Sequence, residues 1–433
     1  MTVQDSGEHV ELGKRRQPAL AFIFVTALMD VISLGIMIPV LPFLLKEMVG
    51  GDTATASLWA GVFGTVWAAM QFFVAPIIGM MSDRFGRRPV ILTSIGGLGI
   101  DFLFMALAPT LAWLFVGRVI NGLTAASFST ASAYVADVTP PEKRAQAFGM
   151  MGAAFGAGFL IGPGIGGILG EMTVHLGFIH IEKYRLPFYV AAGIALLNWL
   201  YGCFVLPESL PPERRASRFN WARANPIGSL NLLRRHKDLL GLAGVGFLFQ
   251  LAHNVLPAIF ALYMGYRYHW ASLMVGVSLM VTGVANIIVQ ALLVGPVVKR
   301  LGERGALLLG LACGAGGFMI YALAPTPLIY WMGVPVFALM GFAQPGLQGL
   351  MTRRVGPSEQ GQLQGANSSI MGLTGMIGPT LFTVTFAWSV HMDSRLHMPG
   401  LPILLSAGFL ALAFVLAYVV AHPQPPEPVV EPA

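Results

Sequence analysis

The chain has 433 residues, of which 11% are charged and 55% hydrophobic, whereas soluble domains carry roughly 25% charge. A soluble multidomain protein is therefore excluded, and the formal net charge of +6 does not indicate nucleic-acid binding, because the basic residues sit in short segments between apolar runs instead of on one exposed face. Cys203 and Cys313 both fall inside apolar runs, so neither a disulfide framework nor a CxxC metal pair is available.

Apolar windows bounded by charged or Pro/Gly-rich breaks predict twelve spans, at about 18–45, 58–81, 90–108, 112–135, 146–169, 188–206, 239–265, 272–298, 306–323, 328–351, 362–387 and 400–421. Each is about the ~20 residues that cross a ~30 Å hydrocarbon core as a helix. With the N-terminus inside, inner segments hold 20 Lys and Arg and outer loops hold five, Lys46, Lys183, Arg185, Arg267 and Arg395. That asymmetry satisfies the positive-inside rule and puts both termini in the cytoplasm. The expected organisation is a cytoplasmic tail 1–17 without a cleaved signal, a six-helix bundle 18–206, a basic cytoplasmic loop 207–238, a second six-helix bundle 239–421 and a cytoplasmic tail 422–433. The fold class is an all-α membrane protein.

A repeat explains the division. Gly79, Asp83, Arg84, Gly86, Arg87 and Arg88 are followed 216 positions on by Gly295, Lys299, Arg300, Gly302, Glu303 and Arg304. At that offset Gln146 and Gly149 recur as Gln362 and Gly365, Ile161-Gly162-Pro163 as Ile377-Gly378-Pro379, and at 215 Val40-Leu41-Pro42 recurs as Val255-Leu256-Pro257. Two pseudo-symmetric halves of the same orientation, with a site between them near the midplane, are the build of a transporter.

Ionisable groups inside spans are the sharpest signal, since each costs roughly 2.5–3.5 kcal/mol in the hydrocarbon. Asp30 lies about twelve residues into the first span and Asp101 about eleven into the third, both ~17–18 Å from the inner face at 1.5 Å per residue. Arg118, in the inward-running fourth span, falls ~21 Å from that face on the same count, so all three share a layer. Two readings stand: an Arg–Asp pair that only joins helices, or a proton site at which burial favours the protonated acid and approach of Arg118 favours the carboxylate. The second half has no acid in its spans. It offers Gln250, His253 and Asn254 in span 7, Asn286 and Gln290 in span 8, Gln344 in span 10 and Asn367 in span 11, groups suited to an organic solute more than to a bare metal ion. His253 either bonds a neighbouring helix or serves substrate or proton.

Between spans 2 and 3, Gly86 permits a tight turn, Arg87 and Arg88 stay at the headgroups, and Asp83 on this basic face calls for a helix N-terminus or an arginine. Asp137, at the inner end of span 4, is the acid expected beside Arg87. Span 5 carries Gly152, Gly156, Gly158, Gly162, Pro163, Gly166 and Gly170, a spacing for close helix contact with a bend at Pro163. No GxxxxGK[ST], HExxH or GxSxG sequence occurs, which disfavours an ATP-driven pump or a membrane hydrolase.

Met70-Gln71-Phe72, Ala75-Pro76, Gly79 and Ser82-Asp83-Arg84-Phe85-Gly86-Arg87-Arg88-Pro89-Val90 resemble the signature loop of the major facilitator superfamily, specifically its drug:proton antiporters. Arg118-x-x-Asn121-Gly122 resembles that family's span-4 motif, and Gly158 to Gly167, with Gly162, Pro163 and Gly166, its antiporter motif. LMDVISLGIMIPVLP, DFLFMALAP, YVADVTPPEKR and LQGLM are similar to the bacterial tetracycline-efflux branch. The resemblance implies proton coupling by Asp30, Asp101 and Arg118, and a charge relay linking Asp83, Arg87 and Asp137 to the start of span 11. It departs at two positions: the branch's span-9 aspartate is matched near Gly314 and its span-8 histidine by Asn286.

The expected function is proton-coupled efflux of a small amphipathic organic compound across a bacterial cytoplasmic membrane, by a monomer with no enzymatic activity, cofactor or nucleic-acid partner. Gln71, Asn121, Gln250, His253, Asn286 and Gln290 are its expected substrate contacts. A substrate-specific uniporter, symporter or lipid flippase without proton antiport, or a transporter-shaped receptor or scaffold, are the alternatives.

Overall fold

The protein's structure, a computed structural model, describes residues 23–124, 127–140, 143–176, 179–216, 228–230, 232–233, 237–356, 359–391 and 398–421. Both tails, most of the basic central loop (Arg218, Arg223, Arg234 and Arg235 included) and Arg395 lie outside the described residues.

Among the described residues ten helices are long and apolar enough to cross a membrane: Ile23–Met48, Thr53–Phe85, Arg87–Leu107, Gln146–Gly170, Leu186–Val205, Leu239–Tyr268, Ser272–Leu323, Pro327–Thr352, Gln360–His391 and Leu401–Val420. The predicted fourth span is Leu111–Thr124 followed by Ser127–Val138. The predicted eighth and ninth lie in the single run Ser272–Leu323, on either side of Gly302, whose φ of 70° and ψ of 174° break the helix. A π-helical turn, Val289–Leu293, interrupts the first of these arms. Helices also overrun the windows read from hydropathy. Thr53–Phe85 has 33 residues and so is about 50 Å long, because its polar ends stay helical beyond the apolar stretch. Asp52 caps it, accepting from the Ala54 and Thr55 amides at 3.2 and 3.0 Å. The connection between Gly170 and Leu186 adds an element that the sequence did not announce, the antiparallel pair Val174–Leu176 and Ile179–Ile181.

The repeated Val-Leu-Pro tripeptides break their spans in the same way. Residues 38–40 form a turn before the helix Leu41–Met48, and Asn254 is a turn between Lys237–His253 and Val255–Tyr268. Pro42 and Pro257 each lack an amide hydrogen and crowd the carbonyl four residues back, which accounts for both breaks.

The residues group into two compact units. One takes in the chain up to Pro226 with Asn254–Val284 and Gly375–Pro402; the other takes in Ile227–His253, Ala285–Thr374 and the chain from Ile403. Inside the first unit the glycine row of Arg144–Gly170 lies against the first span. A Cβ at Gly162 would sit 2.7 Å from the Gly35 Cα and 2.8 Å from the Ile32 carbonyl oxygen, one at Gly158 would sit 2.6 Å from the Val31 Cβ, and one at Gly166 would strike the Ile36 carbonyl. The next face of the same helix, at Gly167, lies 2.8 Å by the same measure from the Ser272 carbonyl oxygen. Small residues thus let backbones meet where side chains would hold them apart. In the second unit the Val294–Leu323 helix packs on Pro327–Ala338 through stacked aromatics, Tyr321 and Tyr330 with ring centroids 4.7 Å apart and Phe318 and Phe337 at 5.1 Å.

Glu171, just past the glycine row, caps the helix Ser272–Ile288. It accepts from the Ser272 amide at 2.9 Å and hydroxyl at 2.6 Å, and pairs with Lys183 at 2.8 Å. Burial alone would raise the pKa of its carboxyl, but the hydrogen bonds from Lys183 and Ser272 outweigh it and hold the pKa below the ordinary 4.5.

Two outcomes follow from this packing. Gly162→Ala forces a methyl into backbone and should cost about 1–3 kcal/mol, read as a lowered unfolding temperature of the purified protein, while Gly149→Ala, which has open space, should be neutral. A carboxyl with a depressed folded pKa stabilises above its unfolded pKa and loses that contribution as pH falls through the folded value. The stability gap between the parent and Glu171→Gln should therefore be full at neutral pH and close as pH drops below 4.5, measured by thermal unfolding across pH.

Candidate functional site

Asp101 has no exposed side-chain surface and pairs with the buried Arg118, Nη2 to Oδ2 at 3.1 Å. The Asn121 amide nitrogen donates to the same oxygen at 2.9 Å, and the Trp67 indole donates to the Asn121 oxygen at 2.7 Å. Arg118 Nη2 also lies against the sulfurs of Met37, at 3.0 Å, and of Met105. Four helices thus meet on one carboxylate: Arg87–Leu107 carries it, Leu111–Thr124 supplies Arg118 and Asn121 three residues apart on one face, Thr53–Phe85 supplies Trp67 and the first span supplies Met37. Asp101 Oδ1 and Arg118 Nε are buried without hydrogen-bond partners among the described residues. Gly117 makes the room: a Cβ there would sit 2.8 Å from Asp101 Oδ1.

Asp30, also buried, is held by a residue that the sequence reading passed over. Asn198, fully buried in Leu186–Val205, donates its amide to Asp30 Oδ1 at 3.0 Å and to the Thr26 carbonyl at 3.1 Å. Counting residues put Asp30, Asp101 and Arg118 in one layer but did not reach Asn198. The signal available for Asn198 was one amide in an otherwise apolar span.

At the junction of Thr53–Phe85 and Arg87–Leu107, Arg87 bridges two acids, Asp83 at 2.6 Å and Asp137 at 3.1 Å, and donates to the Ser82 hydroxyl at 2.8 Å. The expected Arg87–Asp137 neighbourhood is present. Asp83, half exposed at 53%, takes the arginine of its two expected partners, and the helix N-terminus goes to Glu208 instead. Its carboxylate accepts from the backbone amides of Arg87 at 2.8 Å and Arg88 at 3.3 Å, where the first turn of a helix leaves donors unmatched. Gly86 is required there twice over, because its φ is +105° and because a Cβ would strike the Glu208 carboxylate. Arg88 reaches the Cys203 carbonyl at 2.8 Å near the end of Leu186–Val205, while Arg84 lies over the Phe85 ring at 5.6 Å and Gly79 faces open space.

The second unit repeats this arrangement with charges exchanged. Arg87 and Asp137 correspond at 216 positions to Glu303 and Arg353, which pair at 2.9 Å. Gly302 has positive φ like Gly86, and Arg304, the counterpart of Arg88, donates to the Tyr418 carbonyl at 2.9 Å near the end of Leu401–Val420.

Also within the second unit, a cavity of about 180 Å³ is lined by Gln250, Gln344, Gln348, Gln364, Asn367 and Ser368 with apolar neighbours. Of the other expected contacts, His253 is exposed near Phe249, Asn286 is half-buried and Gln290 donates to the Gly341 carbonyl at 3.3 Å; none of these three lines the cavity. Gln71 is half-buried on Thr53–Phe85. Among the described residues no three His, Cys, Asp or Glu side chains are grouped to hold a metal ion.

Glu208→Gln keeps the size of the cap and removes its charge, so it should cost about 0.3–1 kcal/mol and at most ~2. Gly86→Ala also displaces the cap and forces a left-handed backbone, and thermal unfolding should rank it as the more destabilising change.

The model of the Major Facilitator Superfamily matches residues 23–379. The chain is similar to the class C tetracycline resistance protein of Escherichia coli, 38% identical over 374 residues that cover 86% of this chain and 90% of the relative. It is similar to the class B protein of the same species, 32% identical over 396 residues, 90% and 94% of the two chains. Among solved structures, a bacterial homologue of the human lysosomal transporter Spinster aligns with a TM-score of 0.73 at 15% identity, covering 94% of this chain and 97% of that one. The human organic anion transporter MFSD10 aligns with a TM-score of 0.66 at 21% identity, covering 93% and 99%. The duplicated halves, the paired charges inside the spans and these likenesses agree: the chain belongs to the Major Facilitator Superfamily, a family of multi-pass membrane transporters of small molecules.

Proposed function

We propose that the chain is a proton-driven exporter of a small amphipathic organic compound across a bacterial cytoplasmic membrane, with both termini on the cytoplasmic side. In this reading the bundles 18–206 and 239–421 are the two moving halves of an alternating-access cycle, working as a monomer. The observation that carries it is the Asp101–Arg118 pair, a carboxylate wholly inside a membrane helix with one oxygen paired and the other unpartnered. Such a group accepts a proton at the unpartnered oxygen once Arg118 withdraws, and returns it when the pair closes. Asp30 is the second proton-binding acid, and the Asp83–Arg87–Asp137 cluster is the cytoplasmic gate. Two further supports are the likeness to proteins named for tetracycline resistance and the glycine row against the first span, taken here as the antiporter motif. One proton entering at 100 mV contributes ~2.3 kcal/mol, which sustains a gradient of roughly fortyfold.

Proteoliposomes with an imposed pH gradient test the proposal. Asp101→Asn and Asp30→Asn should each abolish gradient-driven transport while the purified variants remain folded. Parent-level transport in both variants would remove the proton-site assignment.

A further inference from the structure

The cavity in the second unit carries information about cargo. Its walls are three helices, each giving one face at helical spacing: Ala243, Gly246 and Gln250 from Lys237–His253; Gln344, Leu347, Gln348 and Met351 from Ala343–Thr352; Gln364, Asn367, Ser368, Ile370 and Met371 from Gln360–His391. Five carboxamides and one hydroxyl converge there, and no lining side chain is ionisable. Gln344 and Gln364 are exposed into the space, and the Asn367 amide nitrogen donates to Gln348 Oε1 at 3.0 Å, which orients that pair. Gly246 keeps one wall low, since a Cβ at that position would meet Leu347 at 3.2 Å.

The composition decides the class of ligand. A carboxamide supplies two donors and an acceptor but no net charge. A charged group entering an uncharged pocket leaves water without a counter-charge, a loss that fixed neutral dipoles do not make good. An uncharged group carrying both donors and acceptors loses water and regains every bond, and a site built of hydrogen-bonding groups rejects analogues that lack them. The volume of about 180 Å³ is below the ~300–1,000 Å³ of a pocket enclosing a drug-sized molecule. It admits one polar end of such a molecule, with Leu347, Met351, Ile370 and Met371 against the adjoining apolar part.

We infer that this cavity is the recognition subsite for an uncharged, hydrogen-bonding head of the transported compound, a carboxamide or hydroxylated group, and that cations and metal chelates are poor ligands for it. The inference rests on the transporter reading above but is independent of proton coupling. Gln344 and Gln364 determine the specificity, and the Asn367–Gln348 bond fixes the amides beside them.

The test is equilibrium binding to the purified full chain in lipid nanodiscs with no pH gradient. The probes are chloramphenicol, an uncharged compound with one amide and two hydroxyls; tetraphenylphosphonium, a lipophilic cation; and tetracycline with magnesium. The parent should bind chloramphenicol saturably and at least tenfold more tightly than either of the others. Gln344→Leu and Gln364→Leu should each weaken it tenfold or more. Gln344→Glu, close to isosteric, should instead shift the preference toward the cation by at least tenfold, a gain that misfolding does not produce. Tighter binding of tetraphenylphosphonium or magnesium–tetracycline by the parent, no saturable chloramphenicol binding, or unchanged affinity in both leucine variants would overturn the inference. Failure of pH-driven transport with these affinities intact would count against proton coupling alone.

Discussion

Hydrocarbon offers no water to a buried charge, so a carboxylate and a guanidinium placed in it must satisfy each other within the protein. Asp101 and Arg118 do this, and the surrounding architecture is arranged to permit it. The connection between their helices is only Ala108–Pro109–Thr110. Gly117 leaves space for the carboxylate, Asn121 repeats the approach of Arg118 one helical step later, and Trp67 fixes the Asn121 amide. Breaking such a pair by removing one partner costs about 3–5 kcal/mol. The unmatched oxygen of Asp101 and the unmatched Nε of Arg118 mark where the arrangement stops short of full satisfaction.

The duplicated halves show which features repeat through backbone geometry and which are free to vary. Positive-φ glycines at 86 and 302 and the arginine contacts to the ends of Leu186–Val205 and Leu401–Val420 recur, because they answer the same unpaired backbone groups in each half. The ion pairs recur in position but exchange sign, Arg87–Asp137 becoming Glu303–Arg353. An ion pair requires opposite charges and is indifferent to which helix carries which. Chemistry specialised further: the first half holds the buried acids, the second a chamber of amides.

Spans and the repeat were legible because each is written in local runs of residues. The layer shared by Asp101 and Arg118 was legible because depth follows from counting along a helix. Partners were not. Asn198 meets Asp30 across 168 positions and Glu208 meets Arg87 across 121, and such contacts depend on which helix faces pack together. Gln348 and Gln364 sit at span ends where a glutamine is commonplace, so only the converging helices reveal that they share a chamber with Gln250. The break at Gly302 was foreshadowed by Gly86, whereas the π-turn at Val289–Leu293 has no mark in the sequence.

The tight link between the third and fourth spans also bears on how the chain is made. Arg87–Leu107 emerging alone would bring an uncompensated Asp101 to the bilayer, and Leu111–Thr124 an uncompensated Arg118, each at roughly 2.5–3.5 kcal/mol. The two residues are 17 positions apart across a three-residue turn, so they become neighbours while synthesis is still under way. Entering the lipid together as a hairpin, the two helices would carry Asp101 and Arg118 already paired, and lengthening Ala108–Pro109–Thr110 would separate their arrival and expose each charge in turn.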